Sequence, residues 1–302
     1  GARPVNLHLS ALKKLNMNFD IKKGYIYAKV EKKLKGANIE FSKISVGATQ
    51  NLIIAACLAS GKTILRNCAI EPEIIDLTNF LTSAGANIKW LGKRTCQIIG
   101  VNSLKQTKYS IMSDRIEAGT FSVAASVNEG KLRIKNFDPN IIKSELGFLK
   151  KIGAKIKILK DGVTVNGPKR IKNINNIQTK EYPNSLATDL QAQFMVLLCL
   201  ANGRSSITEN IFENRFMHVA ELRRLGAKIV VKGNKAIIYG PSKLNGAELM
   251  SSDLRASVAL VLAAIVAKGK SVINRIYHLD RGYEKIETKL KKIGVKIRRI
   301  KK

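Results

Sequence analysis

Apolar positions along this chain recur in two alternating periods. In "TDLQAQFMVLLCLANG", Leu190, Phe194, Leu197 and Leu198 stand at i, i+4, i+7 and i+8. That spacing predicts a helix with one apolar face, stopped at Gly203. "SSITENIF" then predicts a strand. "HVAELRRLGA" predicts a second helix that turns Val219, Leu222 and Leu225 inward and closes on glycine. "AKIVVKGNKAIIYGP" predicts two strands joined at a Gly-Asn turn, a strong hairpin signal. The unit is helix, strand, helix, strand, strand.

This unit repeats. Gly61-Lys62, Gly130-Lys131, Gly203-Arg204 and Gly269-Lys270 each separate a helical pattern from a strand-like one. A second series, Gly85, Gly153, Gly226 and Gly294, follows the first at a nearly constant distance, and its own members are almost evenly spaced. "IKILKDGVTVNGP" and "IKWLGKRTCQIIG" repeat the closing hairpin. The first stretch, "LHLSALKKLNMNFDIKKGYIYAKV", matches only the second half of a unit, with Asn16 in the glycine place one repeat length before Gly85. "GVKIRRIKK" predicts one hairpin strand at the other end. A unit of this kind cannot bury its apolar face alone, so a neighbouring unit is expected upstream of Gly1. On this register residues 1–112 hold one and a half units, an incomplete domain, and residues 113–302 hold three, the last hairpin unfinished. The fold class expected is α/β, in two domains built from repeated units.

Composition narrows the setting. A hydrophobic content of 45% can fill globular cores. The run Val258 to Ala267 is about half of the roughly 20 residues that span a bilayer, so no membrane helix is expected. No export signal is recognisable at the start. Cys57, Cys68, Cys96 and Cys199 lack metal or disulfide spacing and read as buried, reduced thiols of a cytoplasmic protein. His8, His218 and His278 also lack metal spacing and read as structural or solvent-facing. The net charge of +31 raises nucleic-acid binding as an alternative. However, the basic residues are spread along the chain and only 6% of residues are aromatic, which favours anionic small molecules instead.

Longer motifs carry a resemblance. "SVGATQN", "EPEIIDLTNFLTSAGA", "DRIEAGTF", "TDLQAQF", "ENRFMHVAELRRLGA", "SSDLRAS" and "RIYHLDRGYEKIETKL" resemble the bacterial UDP-N-acetylglucosamine enolpyruvyl transferases, of the EPSP synthase superfamily, over essentially the whole chain. The resemblance implies two domains, each an inside-out α/β barrel with helices facing its interior, that close over the substrates. It implies transfer of the enolpyruvyl group of phosphoenolpyruvate to the 3-hydroxyl of UDP-N-acetylglucosamine with release of phosphate, the first committed step of peptidoglycan synthesis. No metal or organic cofactor and no nucleic-acid or membrane partner are implied; the oligomeric state stays open.

This chemistry needs a base for the sugar hydroxyl, cations for two anionic substrates, and an acid for the methylene carbon of phosphoenolpyruvate. Asp189 lies at a helix start, where Asp commonly caps; the resemblance makes it the residue that takes or holds the hydroxyl proton. Ala187 stands where the family usually has Pro. Asp253 and Arg255, at the matching place in the next repeat, are implied to be a supporting carboxylate and a phosphoenolpyruvate ligand, and Arg281, another helix-start arginine, a second such ligand. Guanidiniums suit a substrate with both carboxylate and phosphate. Asp114, beside Arg115, occupies the equivalent start in the preceding repeat. The run Lys43, Ser45, Val46 and Gly47 before a helix can hold a diphosphate on its backbone N–H groups and is implied to bind the nucleotide. Ile211 is implied to line the nucleotide-sugar site through its backbone, with Arg215 as neighbour. Arg3, Pro4, Val5, Asn6 and Leu7 match a nucleotide-sugar-binding run, which makes residues 1–112 the nucleotide-sugar-binding domain. In the family a loop Cys or Asp, the general acid, precedes that run, and none of the four cysteines occupies the place. The 302 residues alone are therefore expected to show no turnover, with the acid expected just before Gly1; the alternative to the transferase reading is a catalytically inactive, truncated remnant of that enzyme.

Overall fold

A computed structural model describes residues 5–300, so Arg3 and Pro4 lie outside the described residues. The chain forms two compact units. One runs to Met112 and adds Glu181–Pro183; the other takes Ser113–Lys180 and the chain from Asn184 onward.

In the first unit, α1 (Asn6–Lys14) leads into an antiparallel hairpin of β1 (Asn18–Lys22) and β2 (Tyr25–Lys29). Then come β3 (Asn38–Glu40), α2 (Val46–Cys57), β4 (Lys62–Arg66), α3 (Pro72–Ser83), β5 (Asn87–Gly92) and β6 (Thr95–Ile99). Their sheet runs β3-β4-β6-β5, with β3 and β4 parallel and the other pairs antiparallel. Leu52 and Ile53 of α2 meet Ile39, Leu65 and Ile98 of the sheet and Ile74 of α3 in one buried core. Cys57, Cys68 and Cys96 are free and buried, as is Cys199 in the other unit.

The second unit opens with α4 (Arg115–Val127), β7 (Lys131–Lys135), α5 (Lys143–Lys151), β8 (Lys155–Leu159) and β9 (Gly162–Asn166). Next are β10 (Ile177–Thr179), α6 (Gln191–Cys199), β11 (Gly203–Glu209), α7 (His218–Arg224), β12 (Lys228–Lys232) and β13 (Lys235–Gly240). The last elements are β14 (Glu248–Met250), α8 (Leu254–Val266), β15 (Val272–Asn274) and α9 (Ile286–Lys292). Helices α4, α6 and α8 pack on one another inside the unit. Outside them lie three separate sheets, ordered β7-β9-β8, β10-β11-β13-β12 and β14-β15, which do not join into one closed hydrogen-bonded barrel among the described residues. Helices within and strands without is the inside-out arrangement expected.

Several local expectations change. Helix α6 is buried at every position, not on one face, because α4 and α8 flank it while β11 and β13 cover it. Each fully buried large apolar side chain there contributes about 1.5–3 kcal/mol. Phe194 is fully buried and meets Phe148 edge-on, centroids 6.2 Å apart. Short parallel strands β3, β10 and β14 precede the first helices of three repeats and pair with β4, β11 and β15, which turns each into a βαβ crossover. The C-terminal segment forms no strand among the described residues. Val295 and Ile297 instead pack partly buried against Leu290, Tyr283 and their neighbours.

The second glycine series is conformational. Gly85, Gly153, Gly226 and Gly294 have φ of 95°, 107°, 102° and 93°, where a Cβ is disfavoured, and Asn16 takes the same place at φ 69°. In the first series Gly130 is displaced by one position: Glu129 carries the left-handed turn at φ 49°.

Candidate active site

The candidate residues of the second unit separate at the starts of its interior helices. Asp114 caps α4, its Oδ1 accepting from the N–H groups of Ile116 and Glu117 at 2.7 and 3.1 Å. Asp253 caps α8 in the same way, accepting from Arg255 and Ala256 at 2.9 and 3.0 Å. Asp189 does not cap. It lies inside a short 3-10 turn, Thr188–Leu190, ahead of α6, and its carboxylate faces two guanidiniums. Arg255 Nε donates to its Oδ1 in a short contact, and Arg215 Nη1 lies 3.8 Å from the same oxygen. The capping alternative for Asp189 is thereby replaced by an ion-paired cluster.

Arg215 is held from its other side by Phe212, whose ring centroid is 4.2 Å from the guanidinium carbon. Burial and the neighbouring positive charge of Arg255 lower the Arg215 pKa, opposed by Asp189, Glu209 and Asp253. Asp253 is pulled below the usual carboxylate range: burial works against this, and its bonds from the Ala256 and Arg255 amides and the Ser252 hydroxyl outweigh it. A cleft of about 230 Å³ opens here, lined by Gln191, Arg215, His218, Asp253 and Arg255 among others. Burial pushes His218 down to about 4 despite the Asp253 charge. Its Nε2 is buried with no partner, which assigns its bond to the Arg215 backbone to Nδ1. Gln191 Nε2 is buried without a partner as well.

Helix α6 is also tied to its neighbours by polar contacts. Gln193 donates to the Asp189 carbonyl at 3.0 Å and to Thr120 Oγ1 at 3.2 Å, and Thr120 bonds the Tyr283 hydroxyl at 2.8 Å. The Ala187 N–H donates to the buried carboxylate of Glu145 at 3.0 Å.

Other expected residues sit elsewhere. Arg281 is exposed at the end of the 3-10 helix Ile276–Arg281, ahead of α9, so it is not at a helix start. Ile211 gives its N–H to Glu209 Oε1 at 2.9 Å, so a backbone contact from it to a ligand would come from its carbonyl. In the first unit Ser45 caps α2, its Oγ accepting from Ala48 N–H at 3.2 Å, and Lys43 is exposed just before it. Val5 caps α1, and Asn6 and Leu7 are its first residues. His8 joins α1 to α2: its Nδ1 meets Asn51 Nδ2 at 2.6 Å, and its ring lies 3.1 Å from where a Cβ on Gly47 would be. The two helix starts are thus adjacent. A side chain at Gly47 would push on the imidazole.

Nothing in the sequence pattern singles out Thr188, Gln191, Gln193 or Glu209, although the first three lie within "TDLQAQF". What distinguishes them is burial together with polar contacts, and neither follows from periodicity.

The model of the EPSP synthase (3-phosphoshikimate 1-carboxyvinyltransferase) family matches residues 1–290. The chain is 63% identical over 300 residues to the UDP-N-acetylglucosamine 1-carboxyvinyltransferase of Pelagibacter ubique, covering 99% of this chain and 72% of that protein. It is 50% identical to the protein of the same description from Pseudoalteromonas atlantica, covering 100% and 72% respectively. Among solved structures, the enolpyruvyl transferase NikO from Streptomyces tendae shares the fold with a TM-score of 0.90 at 23% identity, over 98% of this chain and 72% of that one. An EPSP synthase from Acinetobacter baumannii does so with a TM-score of 0.74 at 18% identity, over 97% and 71%. A family model spanning nearly the whole chain and relatives of this identity establish that the chain belongs to the EPSP synthase family, among its UDP-N-acetylglucosamine 1-carboxyvinyltransferases.

Proposed function

We propose that this chain supplies the base and the anion-binding groups for enolpyruvyl transfer from phosphoenolpyruvate to the 3-hydroxyl of UDP-N-acetylglucosamine, with release of phosphate, as the committed step of peptidoglycan synthesis in the cytoplasm. The observation that carries the reading is the Asp189 carboxylate held between Arg255 and Arg215 rather than spent on a helix cap. A carboxylate so placed can take the hydroxyl proton, and the oxygen then attacks C2 of phosphoenolpyruvate while its methylene carbon takes a proton from the loop Cys or Asp that the family resemblance implies as the general acid. The tetrahedral intermediate loses a methyl proton and phosphate to give the enol ether.

The guanidiniums of Arg255, Arg215 and Arg281 are assigned to the carboxylate and phosphate of phosphoenolpyruvate. Asp253 fixes the start of α8 and so the backbone that carries Arg255. Asp114 does the same for α4, a supporting role. Val5, Asn6, Leu7, Lys43, Ser45, Val46 and Gly47 of residues 1–112 are assigned to the nucleotide sugar, with Arg3 and Pro4 of the same run; Ile211 contributes its carbonyl. The names of the relatives support this choice of sugar nucleotide.

The test is phosphate release from phosphoenolpyruvate, with and without UDP-N-acetylglucosamine, in a protein that spans the full length of the relatives. Sugar-dependent release is expected. Asp189→Ala should abolish it while the circular dichroism spectrum stays native. No release from the unaltered protein refutes the function; near-normal release from the variant removes Asp189 from the base role.

A further inference from the structure

Glu209 is the last residue of β11 and is 3% exposed, yet it sits among four donors. Its Oε1 accepts from the Thr179 hydroxyl at 2.8 Å, the Ile211 N–H at 2.9 Å and the Phe212 N–H at 3.2 Å. Its Oε2 accepts from the Thr188 hydroxyl at 3.0 Å. Thr179 ends β10, the parallel partner of β11, and pairs directly with Glu209. The two chain segments that leave the carboxyl ends of these strands are therefore pinned to one side chain. One segment carries Ile211, Phe212 and Arg215; the other returns through Leu186, bridged to Thr179, to Thr188 and Asp189.

We infer that Glu209 is a positioning residue that sets the Asp189 carboxylate against Arg215, by holding the Thr188 turn and the 210–215 turn on opposite oxygens of one carboxylate. A carboxylate suits this place because every neighbour donates and because its two oxygens face two different segments. Neither a hydroxyl nor an apolar side chain could hold both. Thr179 reinforces the anchor, accepting from the Asn210 N–H at 3.0 Å while Asn210 Nδ2 donates to the Thr179 carbonyl at 3.1 Å. The role is distinct from that of Glu145, which holds the same turn one residue earlier through the Ala187 amide.

The inference rests on the proposed function, and its test uses the two arms separately in the full-length enzyme. Thr188→Val removes only the Thr188 arm. Because a displacement of the reacting group by about 1 Å costs up to a hundredfold in rate, kcat should fall about tenfold or more. KM for the sugar nucleotide should stay within about twofold, since the Ile211 arm is intact. Thr188→Ser, which keeps the hydroxyl, should restore kcat. Glu209→Gln keeps the volume and one acceptor oxygen but loses the second, so it should match Thr188→Val, and the double variant should be no slower than either single one. Losses that multiply in the double variant, wild-type kcat in Thr188→Val, or no rescue by serine overturns the inference. Amide exchange separates this failure from that of the function. The Leu190 N–H bonds the Ala187 carbonyl across the same turn at 2.9 Å and should exchange faster in Thr188→Val even if the unaltered protein turns over neither substrate. Unchanged exchange there also overturns the inference.

Discussion

Replacing Ala187 by proline sets two measurable effects against each other at the edge of the site. The Ala187 backbone already stands at φ −59°, within the range that the pyrrolidine ring fixes, so the backbone angle itself suits proline. On that ground alone the variant gains about 0.4–1 kcal/mol, because its unfolded chain has less freedom to lose. Proline has no N–H, however, and the Ala187 N–H donates to Glu145 Oε1 at 3.0 Å. Glu145 is 4% exposed, and burial raises its pKa against the opposing effects of that bond and of Arg115. A hydrogen bond to a carboxylate contributes about 1.5–3 kcal/mol, and a buried acceptor that loses its donor forfeits that amount. The bond outweighs the entropy, so Ala187→Pro should destabilise by about 1–2 kcal/mol, a fall of roughly 2–8 °C in melting temperature by calorimetry. In a Glu145→Gln background the neutral amide can turn toward other partners, and the proline penalty should shrink or reverse sign. A melting temperature equal to or above wild type in the single variant would refute the claim that the Glu145 bond governs this turn.

Other consequences follow from burial and backbone. His218 is held near 4 when folded against about 6.5 when unfolded, so its contribution is present above pH 6.5 and lost as pH falls toward 4, about 3 kcal/mol in all. Urea unfolding at pH 7 and 4.5 should show that loss in wild type and not in His218→Asn, whose amide can keep the bond to the Arg215 backbone; equal pH dependence would contradict it. Asn16→Ala should cost about 1 kcal/mol because of its left-handed backbone, while Asn16→Gly stays near wild type, as judged by denaturant midpoints. Burial lifts the thiols of Cys68, Cys96 and Cys199 to about 12 and that of Cys57 to about 11, so none should react with an aromatic disulfide reagent at pH 8 until urea is added.

The parts of the fold that repeat were open to sequence reasoning, and those that do not were less so. Helix, strand, helix and hairpin show in their periods, and the glycine series marks where the backbone turns left-handed. The parallel strands β3, β10 and β14 are three residues each, too short for alternation to register, and they exist because β4, β11 and β15 offer an edge. Helix α6 is packed on every side by α4, α8, β11 and β13, so the single apolar face that its spacing predicts understates its burial. Arg215 and Glu209 reach Asp189 and Thr188 from the far side of α6 in the sequence, a contact that only the pairing of β10 with β11 creates.

Asp189 itself was more legible than its motif suggests. Asp114 and Asp253 stand equally far before the first-series glycines of their repeats, Gly130 and Gly269, and both cap a helix. Asp189 stands two positions closer to Gly203 than that, inside the cap, and the residue at the capping place is Ala187. Among the described contacts the Asp189 carboxylate meets the two guanidiniums and accepts from no backbone N–H. The shift thus frees this one carboxylate of three for the guanidiniums of Arg255 and Arg215, and it leaves the capping place to a backbone N–H that Glu145 takes up instead. The same offset makes Asp189 chemically different from its counterparts in the neighbouring repeats, and it requires the turn to be held from outside, which Glu145 and Glu209 do through residues 187 and 188.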